Sequence, residues 1–289
     1  MIKVIVQAGF GNQLFQYAMG YALSKRLDRE LILDVSFFDY MKEKAREDAV
    51  RFNNLDKLAL ENPQFHNKPK TYKKYLWGAR LSKITLHLSF LMRENVLWEN
   101  VANCREYQRT VIDRVPKYNR VTLYGFWQHP DYFKDYISEL KKQFVPNYIL
   151  SQEVRELKNR IETTENSVGV HIRRGDFVRL GWAEDSDYYK KAMKLMVEKK
   201  GKCQFFLFSD DKKWVKKEFG DYSNVAIIDI KTENTDIDEF FLLSLCKNQI
   251  ISESTFGWWA AFLNNNPERI IIIPEYAKGD LFPKEWIRI

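Results

Sequence analysis

From Ser167 to the end of the chain, apolar β-type runs alternate one for one with helical patterns. Strands are expected at residues 167–172, 204–208, 225–230, 249–251 and 269–274, and helices at 187–199, 212–219, 237–246 and 256–263. Few folds accept that pattern. Parallel strands need a crossover between them, so strict alternation implies a parallel sheet with helices on both faces, a Rossmann-like domain. In such a sheet every strand ends on the same edge, and residues distant in sequence meet there.

Three of those strand ends carry polar clusters. The first strand, Val168-Gly169-Val170-His171-Ile172, runs into Arg173-Arg174-Gly175-Asp176-Phe177. That is too much charge to stay buried unpaired. Two guanidiniums, planar and ionised at any working pH, suit a phosphate or pyrophosphate. An ordinary ion-pair network with nearby carboxylates is the competing reading, and on these residues alone the two are evenly matched. The second cluster is Ser209-Asp210-Asp211, where a cap on the following helix is favoured over a ligand contact. The third, Ser252-Glu253-Ser254-Thr255, opens a helix at Phe256-Gly257-Trp258-Trp259 and aims backbone N–H groups and hydroxyls above the sheet. Arginines from one strand end and a helix N-terminus from another would clamp one diphosphate. A metal on Asp210 and Asp211 is unnecessary beside two arginines. Arg174-Gly175-Asp176 also spells a cell-adhesion tripeptide, but its place at a strand edge rather than on a loop tip discounts that role.

The first half opens β-α-β. Residues 2–6 read as a strand, a turn follows at Gly9-Phe10-Gly11-Asn12-Gln13, residues 14–27 are helical, and 31–35 form a second strand. Position 14 is Leu, so the turn is not a dinucleotide fingerprint. Asn12 and Gln13 suit either a helix cap or a substrate hydroxyl. Residues 37–74 look irregular, and 76–92 are weakly amphipathic. A strand at 121–126 ends in Trp127-Gln128-His129-Pro130, where a ring and an amide suit a sugar, although an aromatic core edge is the commoner use of such residues. A helix is expected over 132–144. Pro146 marks the crossing between an acceptor-side domain, 1–150, and a nucleotide-sugar-binding domain, 151–289.

Net charge is +7, which favours phosphate-bearing partners. Lysines such as Lys212, Lys213, Lys216 and Lys217 sit on scattered helix faces rather than in a stripe with interleaved aromatics, which argues against nucleic acid. The three cysteines lack metal or disulfide spacing. There is no leader-like N-terminus and no run of eighteen apolar residues, so a cytoplasmic protein is expected. Its basic faces would allow a peripheral hold on the inner face of the membrane.

Four stretches together resemble glycosyltransferase family 11, the α-1,2-fucosyltransferases, over nearly the whole chain. They are Gly9 through Ala18, Gly125-Phe126-Trp127-Gln128, His171 through Phe177, and Ile251 through Ala261. The H-x-R-R-G-D run is also similar to the donor motif of α-1,6- and protein O-fucosyltransferases. The resemblance implies two facing Rossmann-like domains of the GT-B type. It also implies GDP-β-L-fucose as co-substrate, a galactose-terminated glycan as acceptor, inversion at the anomeric carbon, and no obligatory metal or other cofactor. By position, Arg173 would hold the β-phosphate with Arg174 in support, and Ser254, Thr255 and Phe256 would hold the diphosphate from the far side. Ser209 and Asp210 complete the donor set. Gly11, Asn12 and Gln13 would close on donor and acceptor, with Trp127 and Gln128 on the acceptor. Asp176, Asn12 and His171 join Arg173 as catalytic candidates. Asp176 is the first choice of base despite two guanidiniums that would keep it ionised and weak, and Glu253 is the second. Glu253 and Gly257 depart from the residues common in the family, Asn and Ser, so an altered pocket is expected. Transfer of another GDP-linked deoxy sugar and non-catalytic carbohydrate or nucleotide binding are the alternatives.

Overall fold

The computed structural model describes residues 1–44, 51–68, 72, 75, 95–277 and 279–289. The amphipathic stretch at 76–92 lies outside them. The chain divides into two compact units, Met1–Val145 with Gly279–Leu281, and Pro146–Lys278 with Phe282–Ile289. The crossing thus falls at the proline itself, and a three-residue return near the C-terminus belongs with the first unit.

The first unit contains β1 (Ile2–Ile5), α1 (Phe10–Leu27), β2 (Leu31–Asp34), α2 (Ser36–Lys44), β3 (Gln64–His66), β4 (Asn95–Trp98), α3 (Arg109–Ile112), β5 (Val121–Tyr124) and α4 (Ile137–Gln143). Its sheet is ordered β3-β2-β1-β5-β4 with every pair parallel. Helix α1 starts four residues earlier than its apolar spacing suggested, because Gly9 serves as N-cap. It is buried nearly all round through Leu23, which is why its periodicity is faint. Gly20 lets it touch the sheet: a Cβ there would come 2.6 Å from Val4 Cγ2 and 2.9 Å from Leu31 Cδ1. Asp28 ends it in the left-handed region, φ 49°. Three readings of this half need correction. Ser36–Lys44 is a helix inside the segment expected to be irregular, β3 lies there too, and the helix expected over 132–144 is two short 3₁₀ turns before α4.

The second unit contains α5 (Gln152–Thr163), β6 (Ser167–Ile172), α6 (Gly175–Leu180), α7 (Ser186–Lys200), β7 (Gln204–Ser209), α8 (Lys212–Phe219), β8 (Val225–Ile227), α9 (Thr235–Leu245), β9 (Asn248–Ile251), α10 (Thr255–Leu263), β10 (Ile271–Ile273) and β11 (Ile287–Arg288). The sheet runs β11-β10-β9-β6-β7-β8, all parallel. Counted from β6, that is the doubly wound order 3-2-1-4-5-6 read from the β8 edge, with its reversal between β6 and β9.

The two-residue strand period sorts the core. Val168, Val170 and Ile172 of β6, with Phe205 and Leu207 of β7, pack against Tyr189, Met193 and Met196 of α7 and Val215 and Phe219 of α8. The alternate residues face α9 and α10. At Gly169 an added Cβ would meet Leu243 Cδ1 at 2.6 Å and Cys246 Sγ at 3.1 Å. Each unit is Rossmann-like, a parallel sheet with helices between its strands. Among the described residues no helix is long and apolar enough to cross a membrane.

Because that space at Gly169 is filled by side chains from α9 and its C-cap, Gly169→Ala should overpack the core and destabilise the protein by about 1–3 kcal/mol. Denaturant titration of the purified variant would register it as a lower midpoint with an unchanged m-value.

Candidate active site

The site residues of the second unit gather at the reversal between β6 and β9, the place where open α/β sheets carry ligands. His171 pairs with Ile251, and Ser252 N donates to His171 O at 3.2 Å, so the two strands leave the sheet side by side. His171 is only 6% exposed. Its Nδ1 lies 3.1 Å from Ser252 Oγ, its ring stacks on Phe256 at 5.2 Å, and a Cβ on Gly257 would strike Nδ1 at 2.8 Å. The missing Cβ at Gly257 is therefore what lets α10 approach the ring so closely. Burial, with Arg173 and Lys212 adding like charge, drives His171 down to about 3, so the imidazole is neutral. His171 is the joint between β6 and α10. The catalytic candidate His171 is thus placed by the structure as a neutral ring packed between the strand end and the helix.

Arg173 and Arg174 sit in a carboxylate network. Arg173 Nη2 lies 2.6 Å from Asp176 Oδ1 and Nη1 lies 2.6 Å from Asp210 Oδ2. Its guanidinium carbon is 5.6 Å from the Phe177 ring centroid. Arg174 Nε pairs with Asp211 Oδ2 at 3.2 Å, and its guanidinium covers Trp214 at 4.0 Å. Asp210 Oδ1 also accepts from Arg174 N at 2.8 Å and Gly175 N at 3.2 Å. The ion-pair reading of the two arginines is thus realised. It leaves Arg173 with N–H groups beyond the two engaged by carboxylates, out of five on a guanidinium. Asp176 orients Arg173. Asp210 is corrected from a ligand contact to the brace of the arginine turn, since both of its oxygens are taken by protein donors. Ser209 Oγ accepts from Asp211 N at 3.0 Å, and Asp211 itself caps α8 through Trp214 N at 3.0 Å, so the cap reading falls on Asp211 with Ser209 supporting it.

Opposite this turn, Ser254 caps α10 by accepting from Phe256 N at 3.3 Å, a contact of the type worth about 1 kcal/mol. Ser254 Oγ is thereby engaged, whereas the half-buried Thr255 hydroxyl has no hydrogen-bond partner among the described residues. Sequence reasoning missed Glu184. Its Oε1 accepts from Tyr276 OH at 2.7 Å and from Glu253 N at 3.2 Å, which anchors the loop before α10. Burial raises its carboxyl above the usual range, and Oε2 is buried without a partner among the described residues. No motif or spacing in the sequence marks it, since its hydroxyl partner lies 92 residues away.

The first unit's candidates fare differently. Gln13 is 1% exposed and fully spent: Nε2 donates to Ala8 O at 3.1 Å and Phe52 O at 2.9 Å, and Oε1 accepts from Asn54 N at 2.9 Å. It ties 52–54 to the β1 exit and does not face an acceptor. Trp127 is 0% exposed, so it cannot stack on a sugar. Gln128 is buried, with Nε2 donating to Asn12 Oδ1 at 2.6 Å. Asn12 remains half-buried, and Gly11 is buried in the first turn of α1, where neither it nor Asn12 and Gln13 caps the helix. The missed residue here is Glu99. Buried after β4, it accepts from Phe126 N at 2.5 Å and Trp127 N at 2.8 Å and so holds Trp127 at φ 57°, a left-handed backbone rare for so bulky a residue. Burial pushes its carboxyl up to about 7 against the pull of those two donors.

The family model for glycosyl transferase family 11 matches residues 1–289. An α-1,2-colitosyltransferase of Escherichia coli is 30% identical, over 97% of this chain and 96% of that protein. A galactoside 2-α-L-fucosyltransferase of Caenorhabditis elegans is 23% identical, over 100% of this chain and 79% of that protein. Among solved structures, the α-1,6-fucosyltransferase NodZ from Bradyrhizobium, soaked with GDP-fucose, superposes with a TM-score of 0.52 at 15% identity, over 93% of this chain and 94% of that one. A strand end braced by carboxylates, a capped helix beside it and a family match from end to end converge, and the chain belongs to glycosyl transferase family 11.

A neutral buried imidazole gives a signed pH dependence. His171 has a folded-state pKa below its unfolded value of about 6.5, so the unfolded chain binds the extra proton first and stability falls as pH drops from about 6.5 toward 3. In His171→Gln that part of the slope should vanish even if the variant is less stable at pH 7. Chemical denaturation at stepped pH would measure both slopes.

Proposed function

We propose that this glycosyltransferase moves L-fucose from GDP-β-L-fucose to the 2-hydroxyl of a terminal galactose on a glycan, an O-antigen or a free oligosaccharide, with inversion. The observation that carries the reading is the convergence of Arg173 and the α10 N-terminus at the sheet reversal of the second unit. The α-1,2 linkage is common to the colitosyltransferase and the galactoside fucosyltransferase among the relatives, which supports the linkage more than the sugar. For that reason GDP-linked colitose is the second reading. It lacks one ring hydroxyl of fucose, and a site built to bond that hydroxyl would discriminate strongly between the two.

Cleavage of the sugar–phosphate bond passes through an oxocarbenium-like state while charge builds on the departing GDP. Arg173, preset by Asp176 and Asp210, and the N–H groups opening α10 meet that charge more strongly in the transition state than in the ground state. The diphosphate takes the guanidinium N–H groups that Asp176 and Asp210 leave, while the two carboxylates hold the arginine in place. No metal is needed in this scheme, and turnover should survive EDTA. The acceptor hydroxyl gives up its proton late in such a dissociative step, so a weak base suffices. Comparing the pH–rate profiles of Asp176→Asn and Glu253→Gln would assign it.

Incubation with GDP-fucose, GDP-colitose and GDP-mannose, each with galactose-terminated acceptors, should release GDP fastest with fucose and yield an α-1,2 linkage. Faster turnover with colitose moves the assignment to the second reading, and no turnover with any donor would falsify both. Arg173→Ala should lower kcat by roughly 10²- to 10³-fold at saturating donor with little loss of fold.

A further inference from the structure

The loss of Trp127 and Gln13 as sugar contacts leaves the acceptor without an aromatic platform in the residues first assigned to it. The second unit offers one. Trp182 follows the short helix α6, is 59% exposed, and is one of the largest apolar surfaces the described residues present to solvent. It is not a loose side chain. Gly181 turns the backbone through the left-handed region, φ 70°, and Trp182 N donates to Phe177 O at 2.9 Å. The indole stands edge-on to the Phe177 ring, centroids 5.8 Å apart and planes at 86°. Phe177 in turn carries the Arg173 guanidinium at 5.6 Å. A single ring thus separates the indole from the arginine, a gap that one or two pyranose units span.

We infer that Trp182, buttressed by Phe177, is the stacking platform for the neutral glycan acceptor. An indole held by an edge contact leaves its face for the apolar side of a pyranose and loses little entropy on binding. Charge separates this occupant from a lipid surface. Between Gly175 and Asp187 the exposed charges are one arginine, Arg179, against two carboxylates, Asp185 and Asp187, because Glu184 is buried and Asp176 is paired with Arg173. Such a patch repels anionic headgroups and accepts an uncharged sugar. The inference rests on the proposed glycosyl transfer and names where its acceptor binds.

The test measures two reactions of the purified full-length protein: transfer to a galactose-terminated oligosaccharide, and slow hydrolysis of the GDP-sugar in the absence of acceptor. Trp182→Ala should raise the acceptor KM on the order of tenfold and leave donor hydrolysis unchanged, and Trp182→Phe should recover part of the loss. An unchanged acceptor KM in an active Trp182→Ala protein overturns the platform, as does an equal fall in both reactions. Cosedimentation with vesicles rich in phosphatidylglycerol that disappears in Trp182→Ala, with acceptor KM intact, would identify a membrane patch instead and likewise overturns it. Should the wild type transfer no sugar, the proposed function fails separately. Saturation-transfer NMR with the oligosaccharide then decides the platform: a contact present in wild type and lost in Trp182→Ala keeps it, and no contact in wild type removes it.

Discussion

The second unit is built around a strand that has no solvent-facing side. β6 is buried along its whole length and packs helices on both faces, yet the next two residues are arginines. Charge cannot follow a buried strand inward, so it must be met where the strand ends. The answer is Asp210, which grips the turn by two backbone N–H groups and by the Arg173 guanidinium. Gly175 stands where any Cβ would come 2.7 Å from an Asp210 oxygen. A substitution there would push the carboxylate off its seat. The glycine of the motif is thus explained by a close approach rather than by turn geometry.

The same strand fixes the far wall. His171 lies one residue off the face that packs α7 and α8, so it points to α10 instead, and stacking on Phe256 brings the Ser254 cap beside the arginine turn. Every one of these contacts is short-range once β6 and β9 are neighbours. None requires a ligand to be present. The site is preorganised by its own packing, which is the condition for electrostatic stabilisation to cost little at the moment of reaction.

Legibility in the sequence followed burial pattern. In the second unit, strands buried on both faces left short continuous apolar runs and helices such as α8 a strong period, so the helix at Lys212–Phe219 and the strand at Ser167–Ile172 are legible to the residue. In the first unit α1 is buried nearly all round and blurs its own period, while α2 and β3 lie in a mixed-charge stretch with none. The side-chain roles diverged more. Trp127 and Gln13 have the chemistry of sugar ligands, but the first fills the core and the second splints a loop. Glu99 and Glu184 carry no motif, although each braces a turn next to one that does.

The sequence by itself determined the alternation, hence the parallel sheet, and the residue types gathered at its edge, because both depend on local periodicity and on the order of elements along the chain. Tertiary structure alone decided which polar groups are spent on the protein and which remain for a ligand. That allocation depends on burial and on partners dozens of residues away, as between Arg173 and Asp210 or between Gln13 and Phe52. No local pattern encodes it.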